Sequence, residues 1–248
     1  MLLKWIIGVA AAFGLSTGAI AQTAATPVTL QAQDGVSIAG LVYPAAHAKA
    51  IVLLFHQAVS SKAEYATIAP RLAAAGFTAL AIDLRSGGSM YGPNETAARL
   101  SSPATYEQAG LDLVTALDWA QPQHLPVVLW GSSYSAALVF EVAAAHADEV
   151  SAVVAFSPSE YLADSGAVAR AAAGVRVPIY VSSAPEADEV RAARAILAAS
   201  PARVKTQYVP RFGVHGASTL IEARDPKGAA DNWAHVLAFL NALPAPRT

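Results

Sequence analysis

The chain of 248 residues contains no cysteine, and its 16 Lys and Arg residues nearly balance 18 Asp and Glu residues, for a formal net charge of −2. The lack of cysteine excludes disulfides, a cysteine nucleophile and thiolate metal sites, and no cluster of basic residues marks a nucleic-acid surface. Hydrophobic residues make up 54% of the chain, enough for a core that needs no disulfide support.

The first segment has the composition of a secretory signal peptide. Lys4 precedes an apolar run over residues 5–15, and a small-x-small site ends at Ala21. The run is shorter than the roughly 20 residues that a membrane-spanning helix needs. We therefore expect residues 1–21 to be removed as a signal peptide, which leaves an exported protein, periplasmic or secreted, with no stable membrane span. Residues 22–248 have a length typical of a single α/β domain.

Eight strands are predicted along the chain. The dipeptide Asp34-Gly35 favours a tight turn, so the segments on either side of it are expected to form a β-hairpin. The next five strands are continuous apolar runs, which are typical of strands buried on both faces of a parallel sheet. The last predicted strand is more polar and suits a sheet edge. The predicted ranges are 26–33, 36–43, 50–55, 78–82, 127–130, 150–156, 177–181 and 203–209.

Helices are predicted between these strands, at 61–75, 105–120, 133–146, 186–199 and 227–240. The alternation indicates an α/β fold with a mostly parallel central sheet, helices on both faces and the N-terminal antiparallel hairpin at one edge. In such a sheet, functional groups lie on the loops at the carboxyl ends of the strands.

Small residues surround Ser133 where the strand over 127–130 passes directly into a helix. A serine at the apex of such a turn has an exposed hydroxyl next to the N-terminal amides of the helix. The pattern is Gly-x-Ser-x-Gly with Ser135 in place of the last glycine. Ser133 is therefore the candidate nucleophile, and a serine that only caps the helix is the alternative.

A nucleophilic serine needs an imidazole to take its proton and a carboxylate to orient that imidazole. Of the six histidines, only His215 falls on a late strand-end loop beside flexible glycines, so it is the candidate base. For the carboxylate we predict Asp188, on the loop after the strand over 177–181. Glu186 is a close alternative and Glu160 a third, although each could be a surface carboxylate at a helix N-terminus.

These residues carry a resemblance to the α/β-hydrolase superfamily, with the order serine, acid, histidine over about residues 28–240. The segment Leu53–Ala58 is similar to the family's strand followed by His-Gly-x, with Gln57 in place of the glycine. The segment Asp83–Gly88 is similar to its Asp-x-Arg-Gly-x-Gly turn. The smaller esterase and dienelactone-hydrolase-like branches are the most similar.

The resemblance implies a serine hydrolase that cleaves small carboxylic esters through an acyl-enzyme, with no cofactor and no metal. The backbone amides of Tyr134 and Ala58 would then form the oxyanion hole, His56 would shape its loop, and Arg85 would tie down its turn. The short segment over 157–176 predicts a small cap at most. A peptidase or amidase with the same triad, or a catalytically silent binding protein on this fold, are the alternatives.

Overall fold

The computed structural model describes residues 24–244, so the predicted signal peptide at 1–21 lies outside the described residues. The strands in the described range are β1 (Thr26–Gln31), β2 (Ser37–Tyr43), β3 (Ala50–Phe55), β4 (Phe77–Ile82), β5 (Val127–Ser132), β6 (Ala152–Phe156), β7 (Ile179–Ser182) and β8 (Lys205–Tyr208). The α-helices there are α1 (Ile68–Ala74), α2 (Gly110–Ala120), α3 (Tyr134–Ala145), α4 (Ala167–Ala172), α5 (Ala187–Ala199) and α6 (Ala229–Asn241).

The strands form one sheet in the order β1-β2-β4-β3-β5-β6-β7-β8. β1 pairs antiparallel with β2, and β2 pairs antiparallel with β4. All other neighbours are parallel. The predicted fold is confirmed, including the antiparallel hairpin at one edge and the polar strand β8 at the other.

The central strands are buried on both faces because helices cover both sides of the sheet. In β3, Ile51, Leu53 and Phe55 pack on one face, and Val52 and Leu54 on the other. The first face is covered by α2, α3, α4 and α5, and the second by α1 and α6. This two-sided burial explains why β3 reads as a continuous apolar run in the sequence.

The predicted helix over 61–75 is divided into two pieces. Lys62–Tyr65 is a short 3₁₀ helix whose N-cap, Ser61, accepts a hydrogen bond from the amide of Ala63. Helix α1 then begins at Ile68, which places Pro70 in its first turn, where a missing N–H costs nothing. In one continuous helix Pro70 would lie in the interior, where proline breaks the hydrogen-bond ladder.

The segment between β6 and β7 contains only the six-residue helix α4. This helix packs with α3 and α5 on the first face of the sheet, and it is the only helix in the segment where a small cap was expected. No helix among residues 24–244 combines the length and apolar character needed to cross a lipid bilayer.

Candidate active site

Ser133 occupies the sharp turn between β5 and α3. Its backbone has φ 60° and ψ −122°, a conformation that costs a non-glycine residue free energy and is typical of a nucleophile elbow. The turn is held by a hydrogen bond from the amide of Ser133 to the carbonyl of Phe156 in β6 (2.8 Å). The hydroxyl is therefore fixed at the carboxyl end of the central strand.

Two neighbours of Ser133 explain how the elbow fits into so little space. A Cβ on Gly131 would lie 2.5 Å from backbone atoms of Ala136, so only glycine fits there. Ser135 stands where the motif usually has a second glycine. Its hydroxyl donates to the carbonyl of Phe55 (2.7 Å) and accepts from the amide of Ser132 (2.8 Å), so the extra atom ties the elbow to β3.

His215 lies on the loop after β8 and reaches Ser133. Its Nε2 is 2.8 Å from Ser133 Oγ, and its Nδ1 is 2.8 Å from Oε1 of Glu189. A carboxylate only accepts hydrogen bonds, so Nδ1 carries the proton and Nε2 offers its lone pair to the serine hydroxyl. This arrangement can move a proton from Ser133 to His215.

The carboxylate that contacts His215 is Glu189, and the prediction of Asp188 is wrong. Helix α5 begins at Ala187, and successive helical residues point about 100° apart. Asp188 therefore points to solvent, where its side chain is 89% exposed and pairs with Arg191. Glu189 faces the sheet edge instead.

The other two carboxylate candidates are also held elsewhere. Glu186 is exposed at the N-cap position of α5. Glu160 accepts hydrogen bonds from the amides of Val168 and Ala169 (3.0 and 2.9 Å) at the start of α4. Both fit the alternative of a carboxylate at a helix N-terminus.

Glu189 is held by two further donors besides His215. Its Oε2 accepts from Ser157 Oγ (2.7 Å) and from the amide of Ala184 (3.1 Å). Burial alone would raise its pKa, but the hydrogen bonds from His215 and Ser157 outweigh burial, and the pKa of Glu189 is lowered. Ser157 also accepts from the amide of Gly216, so it joins the acid to the histidine loop (2.9 Å).

The two residues predicted to form the oxyanion hole are Tyr134 and Ala58. Tyr134 is the first residue of α3, and its amide has no acceptor within its own helix. Ala58 lies on the loop after β3 and is packed against the core. Among residues 24–244, no protein group accepts a hydrogen bond from either amide. Both N–H groups are therefore open to a ligand.

His56 is a buried residue that shapes its loop. Its Nδ1 contacts the carbonyl of Gln57 (2.8 Å), and its Nε2 accepts from the amide of Leu84 (2.9 Å). Burial lowers its pKa to about 4, so the ring is neutral at ordinary pH. These contacts agree with a loop-shaping role and leave no proton-transfer path to Ser133.

Arg85 joins three parts of the fold. Its side chain is 5% exposed and pairs with buried Asp112 of α2 and with Asp34 of the β1–β2 turn. The Asp112 carboxylate also accepts from the amide of Arg85 (2.7 Å). The expected role of tying down the turn fits these contacts.

We expect Arg85→Ala to lower the free energy of unfolding by about 3–5 kcal/mol, because it leaves the Asp112 carboxylate buried without a counterion. Arg99→Ala is the matched control, since Arg99 forms an exposed pair with Glu95 and its loss is expected to cost less than about 1 kcal/mol. Urea denaturation of both variants measures this difference. Equal, small effects would mean that Arg85 does not hold the fold.

A groove of about 320 Å³ runs beside His215. Met90, Tyr91 and Val214 give it apolar surface, and the Arg224 guanidinium lies 5.4 Å from the centre of the Tyr91 ring. The groove lining includes no Asp or Glu. No group of three or more side chains in the range 24–244 is arranged to hold a metal ion.

Sequence reasoning missed Glu189, Ser157 and Gln57 as parts of this site. The carboxylate run Glu186-Ala187-Asp188-Glu189 contained the correct residue, but the choice depends on the residue at which α5 begins. Ser157 has φ 51°, a constraint visible only in the structure. The contacts of Gln57 depend on which loops meet behind the elbow.

A profile of the family described as "Serine aminopeptidase, S33" matches residues 46–219. The chain belongs to this α/β-hydrolase family. The α/β-hydrolase is similar in fold to a dienelactone hydrolase from Anabaena variabilis, with a TM-score of 0.72 and 20% identity over 90% of this chain and 100% of that one. A search of curated proteins finds no match.

Two esterases have the same fold as this α/β-hydrolase. An esterase from Pyrococcus furiosus gives a TM-score of 0.66 and 18% identity over 89% of this chain and 93% of that one. A thermostable carboxyl esterase from Bacillus coagulans gives a TM-score of 0.69 and 14% identity, over 89% of this chain and 99% of that one. At these identities the likeness establishes the architecture, and the chemistry has to be argued from the site.

Proposed function

We propose that this hydrolase cleaves carboxylic esters through Ser133, His215 and Glu189 by way of an acyl-enzyme. The observation that carries the proposal is the continuous line of contacts from Glu189 through His215 to Ser133, each 2.8 Å long. The nucleophile, base and orienting acid of a serine hydrolase need this geometry.

In the first step, Ser133 Oγ attacks the ester carbonyl and its proton passes to His215 Nε2. The negative charge of Glu189 stabilises the imidazolium that forms. The amides of Tyr134 and Ala58 donate to the developing oxyanion, and each such donor contributes about 3–4 kcal/mol in related enzymes. His215 then returns the proton to the leaving alcohol as the tetrahedral intermediate collapses. Water, activated by the same imidazole, hydrolyses the acyl-enzyme.

Esters are favoured over peptide N-termini by the charge of the groove beside His215. An aminopeptidase must bind a substrate ammonium group, and carboxylates are the usual partners for such a cation. The groove lining contains Arg224 and no carboxylate. This charge pattern repels an α-ammonium group and suits a neutral or anionic substrate.

Parallel assays of a short p-nitrophenyl ester and an amino-acid p-nitroanilide test this proposal. We expect turnover of the ester and little or no turnover of the anilide. Faster cleavage of the anilide would assign a peptidase, and no turnover of either substrate would favour a silent binding protein.

We further propose that the hydrolase is exported, on the strength of the leader at residues 1–21. The mass of the protein recovered from the producing cell tests this, with cleavage after Ala21 expected. Recovery of the intact chain from the cytoplasm would contradict export.

A further inference from the structure

Glu64 is a buried carboxylate without a counterion. Glu64 is only 1% exposed. No Lys, Arg or His among residues 24–244 forms an ion pair with its carboxylate. Its charge is balanced by four hydrogen bonds instead. Oε2 accepts from the amide of Gln57 (2.9 Å) and from Ser60 Oγ (3.2 Å). Oε1 accepts from Gln57 Nε2 (3.2 Å) and from Ser132 Oγ (3.0 Å).

These donors belong to loops that carry the proposed chemistry. Gln57 directly precedes Ala58, and Ser132 directly precedes Ser133. Ser132 Oγ also accepts from the amide of Ala217, two residues after His215 (2.8 Å). One carboxylate therefore connects the loop of the oxyanion amide, the nucleophile elbow and the histidine loop.

A second link runs through the side chain of Gln57. Its Nε2 also donates to Ser218 Oγ on the histidine loop (2.8 Å), and that hydroxyl contacts Tyr91 OH in the groove (2.6 Å). The network thus extends from Glu64 to the wall of the groove beside His215.

The network favours the ionised form of Glu64. A carboxylate can accept all four hydrogen bonds, whereas a carboxylic acid must donate one. The amide of Gln57 and its Nε2 are donors only. Ser132 already accepts from Ala217, so a proton on Oε1 would compete with that bond and loosen the histidine loop.

We propose that ionised Glu64 is a positioning residue of the active site. It holds three segments in their relative positions: the oxyanion loop that carries Ala58, the elbow at Ser133 and the histidine loop that carries His215. The inference rests on the proposed function, because it assigns a role in the same reaction. It predicts that activity depends on the deprotonation of Glu64.

The surroundings of Glu64 allow this titration to be observed. Burial raises the pKa of Glu64 to about 7. Tyr65 in the same 3₁₀ turn and Tyr134 on α3 face it, and burial raises the pKa of both, so they stay neutral. His56, at the start of the oxyanion loop, is also neutral.

The remaining charged groups nearby are paired or belong to the triad. Lys62, in the same turn, pairs with Asp83 at the end of β4 and with Glu95. His215 and Glu189 pair with each other. Glu64 is therefore the group outside the triad whose titration should shape the acid limb of the activity profile.

The test compares Glu64→Gln with the wild type in ester hydrolysis between pH 5 and 9. Asp112→Asn is the control, since Asp112 is also a buried carboxylate, and its hydrogen bonds come from Arg85 and not from the triad. At high pH we expect kcat of Glu64→Gln to fall about 100-fold, as misplacement of catalytic groups does elsewhere, with KM within about twofold. Asp112→Asn should keep its kcat.

The pH profile separates a positioning role from a purely structural one. Below about pH 7 the wild type protonates Glu64 and comes to resemble the variant. The ratio of wild-type to Glu64→Gln kcat/KM should therefore shrink by up to about tenfold per pH unit on acidification. A pH-independent ratio, or an unchanged kcat at high pH, overturns the inference.

Two further measurements keep the outcomes distinct. If Glu64→Gln fails to fold, Ser132→Ala replaces it, because it removes the hydroxyl that joins Glu64 Oε1 to the amide of Ala217. A kcat lowered at least tenfold supports the inference, whereas wild-type kcat overturns it. A wild-type protein that hydrolyses no ester and takes up no fluorophosphonate overturns the proposed function itself. If the wild type is active and Glu64→Gln has the same kcat, only the proposed role of Glu64 is overturned.

Discussion

Ester hydrolysis by the Ser133→Ala variant is expected to fall by about 10⁶-fold, the size of effect that loss of the nucleophile has in other triad enzymes. Without the hydroxyl no acyl-enzyme can form, and the remaining rate reflects only the oxyanion amides acting on bound ester. Because Ser133 is buried in a turn held by its backbone, the melting temperature should change by only a few degrees.

Steady-state assays of purified protein measure the first effect, and thermal unfolding measures the second. Retention of more than a few per cent of wild-type activity by folded Ser133→Ala would exclude this serine as the nucleophile. Loss of activity together with loss of the fold would be a structural effect, which the unfolding measurement identifies.

Glu189→Gln is expected to lower kcat by about 10⁴-fold, the effect of the corresponding amide in another triad. The reason lies in the three donors around the carboxylate. Ser157 and the amide of Ala184 donate to one oxygen, so the glutamine carbonyl would occupy that position. The glutamine NH₂ would then face His215 Nδ1 and force the proton onto Nε2, which could no longer accept from Ser133.

Asp188→Asn is the matched control for this experiment, because it makes the same chemical change one residue earlier on an exposed side chain. Its kcat should stay within about twofold of wild type. Comparison of the two variants therefore tests the assignment of the acid directly. If Asp188→Asn lost most of its kcat while Glu189→Gln kept the wild-type value, Asp188 would be the acid, as predicted from the sequence.

The architecture was predictable because its causes are local. Apolar runs such as Ala50–Phe55 mark strands buried on both faces, and Asp34-Gly35 marks the hairpin. The contact between Ser133 and His215 was predictable for a related reason, since strand-end loops of a parallel sheet meet at one edge. The order of strands and loops sufficed for both.

The acid could not be chosen from the same information. Asp188 and Glu189 are adjacent, and a shift of one residue in the start of α5 rotates the side chain by about 100°. Composition and spacing do not determine helix starts to one residue. The break at residues 66–67, between the 3₁₀ turn and α1, was missed for a similar reason, since a proline such as Pro70 looks the same in the sequence whether it lies in a first turn or in a helix interior.

Glu64 illustrates a different limit of sequence reasoning. A glutamate in a helical segment is usually a solvated surface residue, and nothing in the pattern around it indicates burial. Its donors come from residues 57 and 60 on the loop after β3 and from residue 132 at the end of β5, which only the tertiary fold brings together. Buried polar networks of this kind depend on tertiary contacts and are visible only in the structure.

The central claim is that Ser133 is a hydroxyl activated by His215. Its most direct test is to treat the folded protein with a fluorophosphonate and locate the adduct by intact mass and peptide mapping. We predict one adduct on the wild type, located at Ser133, and none on Ser133→Ala. The absence of an adduct on the folded wild type, or an adduct at another residue, would contradict the claim.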